Sequence, residues 1–434
     1  MRFVQPAERG FFPLDEELAL LPGSLSPHTH ENLVRLGAWM PFEKAVGLLS
    51  DILKVDVSKS RGERCTEAAG AAYVAIQTEE ADEIERQAPL AGKGSEKMVF
   101  SADGAMVPLL HGEWAEVRTL VIGDVPPPVM ERGEWVVHSH NLSYFSRLVT
   151  SERFEHLTLS EVHRRGLENS QQVAAVMDGA AWLQSLTDYH CPNAVRILDF
   201  PHAGQRIGQV SEAIWELGSA DAKQWTQTLL HQLKHQGPDG VLEQLHTLQE
   251  QNHELDVLRE NLAYLEKRTN QMQYPHFQQQ GWPIGSGMVE SGNKLVVEAR
   301  LKGAGMHWKR ENVDPMLALR NIVCSDRWTQ EWPKIEQRLI QQITRRRKAM
   351  RVKRRPTVQP LEMPLPGIAG SDIPKKVPVS QTEGQTDNLV PSSQRTEPRR
   401  PAPNHPWRHS PIGKARFRPA KNELHPFRGT YAAF

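Results

Sequence analysis

The chain lacks several things that would place it at once. No run of 18 or more apolar residues occurs, and the N-terminus MRFVQPAERG has no basic-then-apolar order, so membrane insertion and export are not expected and the sequence reads as cytoplasmic. Only three cysteines are present, Cys65, Cys191 and Cys324, with no paired spacing, which argues against a disulfide framework and a zinc site. A glycine-rich loop near residue 285 has no Gly-Lys-Ser/Thr, so it is not a P-loop. Net charge is also absent: 52 Lys and Arg balance 52 Asp and Glu. The balance hides an asymmetry, because from Arg345 to the end about nineteen Lys and Arg face six acids. Such a basic stretch suits a polyanion, or serves only as a solvated end.

What is there, in 434 residues of which 39% are hydrophobic and 24% charged, is enough for a soluble protein of two or three domains. The most informative stretch runs from Trp282 to Lys302. A glycine-rich loop leads into a helix capped at Ser286 or Gly287, with Glu290 in its first turn and Lys294, Arg300 and Lys302 beyond. A lone glutamate there serves the helix dipole. With other acids brought beside it, it does chemistry.

Taken in order, residues 1–35 are turn-rich and carry no clear period, forming an N-terminal segment. Residues 36–95 read as a helix from Pro41 to Leu53, a short break, and a second helix from about Ser58. This helix-turn-helix-like pattern either docks on DNA through Lys59, Arg61 and Arg64 or is an ordinary helical hairpin. Strand patterns follow at 98–109, 116–125 and 134–140, then a helix at 151–169, a strand at 172–177, a helix at 180–189 and a strand at 194–198. The order β-β-β-α-β-α-β is that of a ribonuclease H-like core with a mixed sheet, begun in 96–203. Residues 204–280 read as an all-α insertion with helices at 207–217, 222–235 and 240–268, the last carrying a heptad-like leucine stripe. Residues 281–330 return to the core, with a final helix started by Asp314-Pro315. A basic helical extension fills 331–355, and a disordered, basic, Pro-rich tail fills 356–434.

Asp103 lies in the first strand, Asp178 just after the fourth, and Glu290 on the late helix; in this topology the three converge at one edge of the sheet. Three carboxylates together repel unless cations sit between them. Magnesium takes oxygen ligands and keeps positions open for water and phosphate, which suits two-metal phosphoryl transfer. The other reading of Asp103-Gly104 and Asp178-Gly179 is a simple turn.

The motifs resemble the DDE transposases of bacterial insertion sequences, in particular the ISKra family, related to the Mutator-like group. The resemblance rests on Asp103-Gly104-Ala105-Met106-Val107-Pro108 with Gly112-Glu113-Trp114-Ala115-Glu116-Val117, on Met177-Asp178-Gly179-Ala180-Ala181-Trp182, and on Ile197-Leu198-Asp199-Phe200-Pro201-His202-Ala203. Pro283-Ile284-Gly285-Ser286-Gly287-Met288-Val289-Glu290-Ser291 and Arg300-Leu301-Lys302-Gly303-Ala304-Gly305-Met306-His307-Trp308 complete it. It spans about residues 11–330. The resemblance implies an enzyme that binds terminal inverted repeats, frees 3′-OH ends by hydrolysis and joins them to target DNA, with two Mg²⁺ or Mn²⁺ ions held by Asp103, Asp178 and Glu290. Asp199 with His202 looks like the aspartate form of a Cys/His motif in Mutator-like relatives; Asp199 is the alternative second acid, and His202 orients a phosphate or a ligand in either case.

Family members carry paired cysteines ahead of a Phe-Pro-Leu-Asp-Glu segment; here Phe12 to Glu16 stands near the start without them, so a shortened N-terminus and no zinc are expected. Lys294, Arg300, Lys302 and Trp308 follow a DNA strand away from the acids, or else pair on the helix surface and pack in the core. A homo-oligomer, at least a dimer, associated with the nucleoid is implied because two ends must be joined. A ribonuclease H-like nuclease without strand transfer and an inactive DNA-binding regulator are the alternatives.

Overall fold

In the computed structural model, which describes residues 25–353 apart from 132 and 216–217, five strands form one mixed sheet. Residues 1–24 and 354–434 lie outside the described residues, and with them the Phe12–Glu16 segment and the Pro-rich tail. Three helices come first: α1 (Pro27–Trp39), α2 (Phe42–Leu53) and α3 (Lys59–Gln87). The sheet strands are β1 (Lys97–Pro108) and β2 (Trp114–Asp124), then, after a separate hairpin of β3 (Val129–Glu131) and β4 (Glu134–Val136), β5 (His140–Arg147). Helix α4 (Ser151–Arg165), β6 (Gln172–Met177), α5 (Ala181–His190) and β7 (Val195–Leu198) complete the α/β part. The order across the sheet is β5-β2-β1-β6-β7; β2 runs antiparallel to β1 and β5, while β6 and β7 run parallel to β1.

Helices then dominate: α6 (Phe200–Ile214), α7 (Ala220–Gln236), α8 (Asp239–Gln251), α9 (Asp256–Glu266), α10 (Tyr274–Gln279), α11 (Gly287–Gly292), a π-helical stretch over Asn293–Glu298, α12 (Ala299–Leu301), α13 (Arg310–Cys324) and α14 (Trp328–Lys353). Among the described residues no helix is long and apolar enough to cross a membrane.

Strand alternation divides the core. Met98, Phe100 and Ala102 of β1 pack with Phe154, Leu157 and Leu183 of α4 and α5. Val99 joins Ala174, Val176, Ile197 and the leucines of α7 to α9 in a second cluster. Ala105 and Val107 join Val289, Val296, Val297 and Leu301 in a third. The odd-numbered face of β1 is thus covered by the insertion at one end and by the late helices at the other, with Asp103 between them.

Four expectations are corrected. The third sheet strand is β5, not residues 134–140: Tyr144 and Phe145 are buried and pair with β2, whereas Trp135 is 61% exposed on the separate hairpin. The stretch without apparent period contains α1, where Ser26 Oγ accepts the Thr29 N–H and Pro27 starts the helix. The leucine stripe of 240–268 is broken between Gln251 and Asp256, and Leu245, Leu258, Leu262 and Leu265 bury in one cluster rather than along a single helix. Pro315 lies inside α13, which begins at Arg310.

The two-helix pattern forms α2 and α3, but α3 is a strut whose Ala69, Ala72, Tyr73 and Gln77 are buried. It touches α13 so closely that a Cβ on Gly70 would lie 2.1 Å from the Pro315 carbonyl oxygen. Lys59 and Arg64 in its first turns are exposed.

Candidate active site

The register of the sheet lines up a polar row. Asp103 faces Thr119, and Thr119 faces Ser146, whose hydroxyl lies 2.9 Å from that of Thr119. Continuing the Lys97↔Gln172 register along β1 and β6 brings Asp103 level with Asp178. Continuing Met177↔Leu198 along β6 and β7 brings Asp178 level with Asp199. Three neighbouring parallel strands therefore reach an aspartate at the same level, and alternation turns all three toward the same face.

The three are not equivalent. Asp199 is fully buried and fully used: Oδ1 accepts the Ser286 N–H at 2.5 Å, and Oδ2 accepts the His202 N–H at 3.1 Å and lies 2.6 Å from His202 Nδ1. Burial alone would raise its carboxyl, but the bonds from His202 and Ser286 outweigh that and hold it below the usual carboxylate value. Its hydrogen bond to His202 raises the imidazole above its ordinary 6.5 against the effect of burial, aided by the charges of Asp199, Asp178 and Asp103. The Phe200 N–H donates to the Ile284 carbonyl at 2.9 Å. Asp199 thereby seats the glycine-rich loop against the end of β7 and aims the helix that follows.

Asp103 and Asp178 are only half-buried. Burial raises the Asp103 carboxyl and Asp178 pushes it further, while the Gly104 N–H, His202 and Asn293 counter without prevailing. Asp178 Oδ1 accepts the Ala180 N–H at 2.7 Å, so it caps a turn as well as ending a strand.

Helix α11 packs on β1 and β2 and carries Glu290, which among the described residues makes no hydrogen bond or ion pair with Asp103 or Asp178. Gly292 packs on β2 and β5, where a Cβ would stand 2.8 Å from Val121 Cγ2 and 3.2 Å from the Tyr144 ring. One turn after Glu290, Asn293 Nδ2 donates to Asp103 Oδ2 at 3.0 Å. Glu290 and Asn293 share a helix face by their spacing, and Glu290 is exposed. Asn293 opens the π-helical stretch, a geometry frequent at functional sites.

Among the described residues no group of three or more His, Cys, Asp or Glu side chains is drawn together tightly enough to hold a metal ion. The residues nevertheless fit a hard cation by chemistry: among the described residues, two neighbouring carboxylates have no arginine or lysine bonded to them, and the Asn293 Oδ1, buried beside Asp103, has no hydrogen-bond partner.

The basic residues separate. Arg300 and Trp308, expected along a DNA path, are 1% and 7% exposed. Arg300 Nε donates to the Gly37 carbonyl, its guanidinium lies over the Phe42 and Trp308 rings, and burial lowers its pKa to about 10. Trp308 is tied to the end of β1, its N–H donating to the Pro108 carbonyl. Their packing is that of a core. Lys302 pairs with Glu298 at 2.7 Å, and Lys294 is exposed. Arg61 and Arg64 line a cavity of about 820 Å³ with His30, Gln342 and Arg346, and among the described residues no acid lines it.

Sequence reasoning missed Asn293, Tyr264 and Arg268, and it named Ser286 only as a helix cap, not as a partner of Asp199. Asn293 was within reach, because it follows Glu290 by one helical turn. No family model matches the chain, and no curated protein matches it significantly.

Proposed function

We propose that the chain is a DDE-type DNA transposase of the ISKra kind, built on a ribonuclease H-like core. The observation that carries this reading is the pair of unneutralised carboxylates, Asp103 and Asp178, level on adjacent strands and faced by the helix of Glu290 and Asn293. The strand order, with β2 alone antiparallel to the rest, supports the ribonuclease H-like assignment.

Asp103 and Asp178 would hold the first-bound Mg²⁺ or Mn²⁺, and Glu290 would close on it. Bound metal supplies Lewis-acid stabilisation of the attacking and leaving oxygens in phosphoryl transfer. Asp199 is the anchor of the glycine-rich loop in this reading, not the second acid, because all its acceptor capacity is engaged inside the protein. The hydrogen bond to Asp199 raises the His202 imidazole, and in this reading His202 orients a phosphate. The acid-free cavity of Arg61, Arg64 and Arg346, with exposed Lys59 and Lys294, supplies the positive surface for DNA phosphates. Two ends must be held at once, so a dimer or larger assembly is part of the proposal.

The test is cleavage and joining of labelled DNA carrying the element's ends by the full chain. Metal-dependent joining that is lost in Asp103→Asn, Asp178→Asn and Glu290→Gln, but kept in part by Asp199→Asn, is expected. Cleavage without joining would favour a nuclease; binding of the ends without cleavage would favour a regulator. Loss in Asp199→Asn with survival of Asp178→Asn would move the second acid.

A further inference from the structure

Asp178 is followed by Gly179, whose N–H and carbonyl are both held by the end of α9 and the residues just after it in the insertion. The Gly179 N–H donates to the Tyr264 hydroxyl oxygen at 2.9 Å, and the Gly179 carbonyl accepts from Arg268 Nη2 at 2.5 Å. Arg268 is fixed in turn: its Nη1 donates to the Tyr264 carbonyl at 2.8 Å and its guanidinium carbon lies 3.7 Å from the centre of the Tyr264 ring. Arg206 of α6 lies 4.2 Å from the same ring centre. The clamp needs glycine at 179, since a Cβ there would stand 1.9 Å from Arg268 Nε and 2.5 Å from the Tyr264 hydroxyl. Tyr264 and Arg268 are half-buried, and neither arginine makes an ion pair with an acid among the described residues.

Arg268 is half-buried and, among the described residues, meets no carboxylate. Here its fork is spent on two backbone carbonyls, one of them next to Asp178. The turn that carries Asp178 is therefore set from both sides, by its own bond to the Ala180 N–H and by the insertion.

We propose that Tyr264 and Arg268 are positioning residues for Asp178: the helical insertion locks the peptide after the acid, keeps its carboxylate level with Asp103, and thereby sets how tightly the acids hold a divalent cation. This rests on the reading of those acids as a cation site. Tyr264→Phe keeps the ring under both arginines and removes only the acceptor of the Gly179 N–H. Arg268→Lys keeps the charge and removes the fork.

The experiment compares the full chain with both variants, after circular dichroism and melting establish that each is folded. Two readouts are taken: Mn²⁺ binding by titration of the free-ion spin-resonance signal, and hydrogen exchange of the peptide containing Gly179. The expected result is faster exchange at Gly179 and Mn²⁺ binding weakened roughly ten-fold or more, as for other groups that orient a metal ligand. Faster exchange with unchanged Mn²⁺ affinity overturns the inference alone. No change in either readout overturns it as well. Failure of the unaltered chain to bind Mn²⁺ overturns the reading of the site, and the inference falls with it.

Discussion

Two groups of buried acid in this protein are treated in opposite ways. Glu161 on α4 is 1% exposed and accepts from Arg327 Nη2 at 2.9 Å and from Arg164. Burial would raise its carboxyl, but Arg327 and Arg164 outweigh it and hold it down to about 2. Arg327 also reaches Glu331 at 3.5 Å, and Lys334 reaches Glu331 at 3.0 Å, so the cluster ties α4 to the start of α14. Asp103, in β1, has a carboxyl pushed up by burial and by Asp178, which the Gly104 N–H, His202 and the Asn293 amide do not offset. The first group has been satisfied within the chain. Under the proposed function, the second is left for a cation.

The comparison is broken most severely at Arg327. Arg327→Met leaves Glu161 buried without its main partner and is expected to lower stability by about 3–5 kcal/mol. Arg327→Met combined with Glu161→Met should lose much less, which denaturant titration of the single and double variants will show. The pH dependence has a definite sign. The Glu161 carboxyl is depressed from 4.5 to about 2, so its contribution is complete above 4.5 and is lost as pH falls toward 2.

A smaller effect sharpens the other side. His202 is raised by Asp199, so the pair's contribution is complete below the ordinary imidazole value of 6.5 and is lost as pH rises through the raised folded value. Because Asp199 is depressed below 3.8, the same contribution is also lost under strong acid. The stability difference between the unaltered chain and His202→Ala should therefore be greatest between 3.8 and 6.5 and shrink on either side. With His202 37% exposed, solvent screening keeps this within about 1 kcal/mol. A difference that does not vary with pH would mean that the imidazole acts by packing alone.

Much of this was legible in the sequence where a local signal existed. Gln172–Met177 is a strand as its apolar run predicts, and the glycine-rich loop leads into a helix at Gly287. Ser26-Pro27 was a cap signal outweighed by the turn-rich residues around it. The level placement of Asp103, Asp178 and Asp199 depends on pairing between strands far apart in the chain, which no spacing reveals. That is why the sequence left Asp178 and Asp199 as alternatives, and why burial and hydrogen bonding separate them in the fold. For Arg300 and Trp308 the sequence left a DNA path and a structural role open, because arginine and tryptophan suit both; Trp308 packs in the core, and cation–π stacking on Phe42 and Trp308 lets the fold bury the arginine. Tyr264 and Arg268 had no local signal, since their partner is the backbone of Gly179.

Thermal melting of the full chain with and without millimolar Mg²⁺ or Mn²⁺, beside Asp103→Asn, tests the central claim most directly. A cation held by unpaired acids stabilises the unaltered chain by about 2.7 kcal/mol at a hundred times its dissociation constant. The account predicts that metal raises the melting temperature of the unaltered chain, and that Asp103→Asn melts at least as high without metal and gains nothing from it. Equal gains in both, or an Asp103→Asn chain that melts well below the unaltered one in the absence of metal, would show that Asp103 is a structural acid like Glu161.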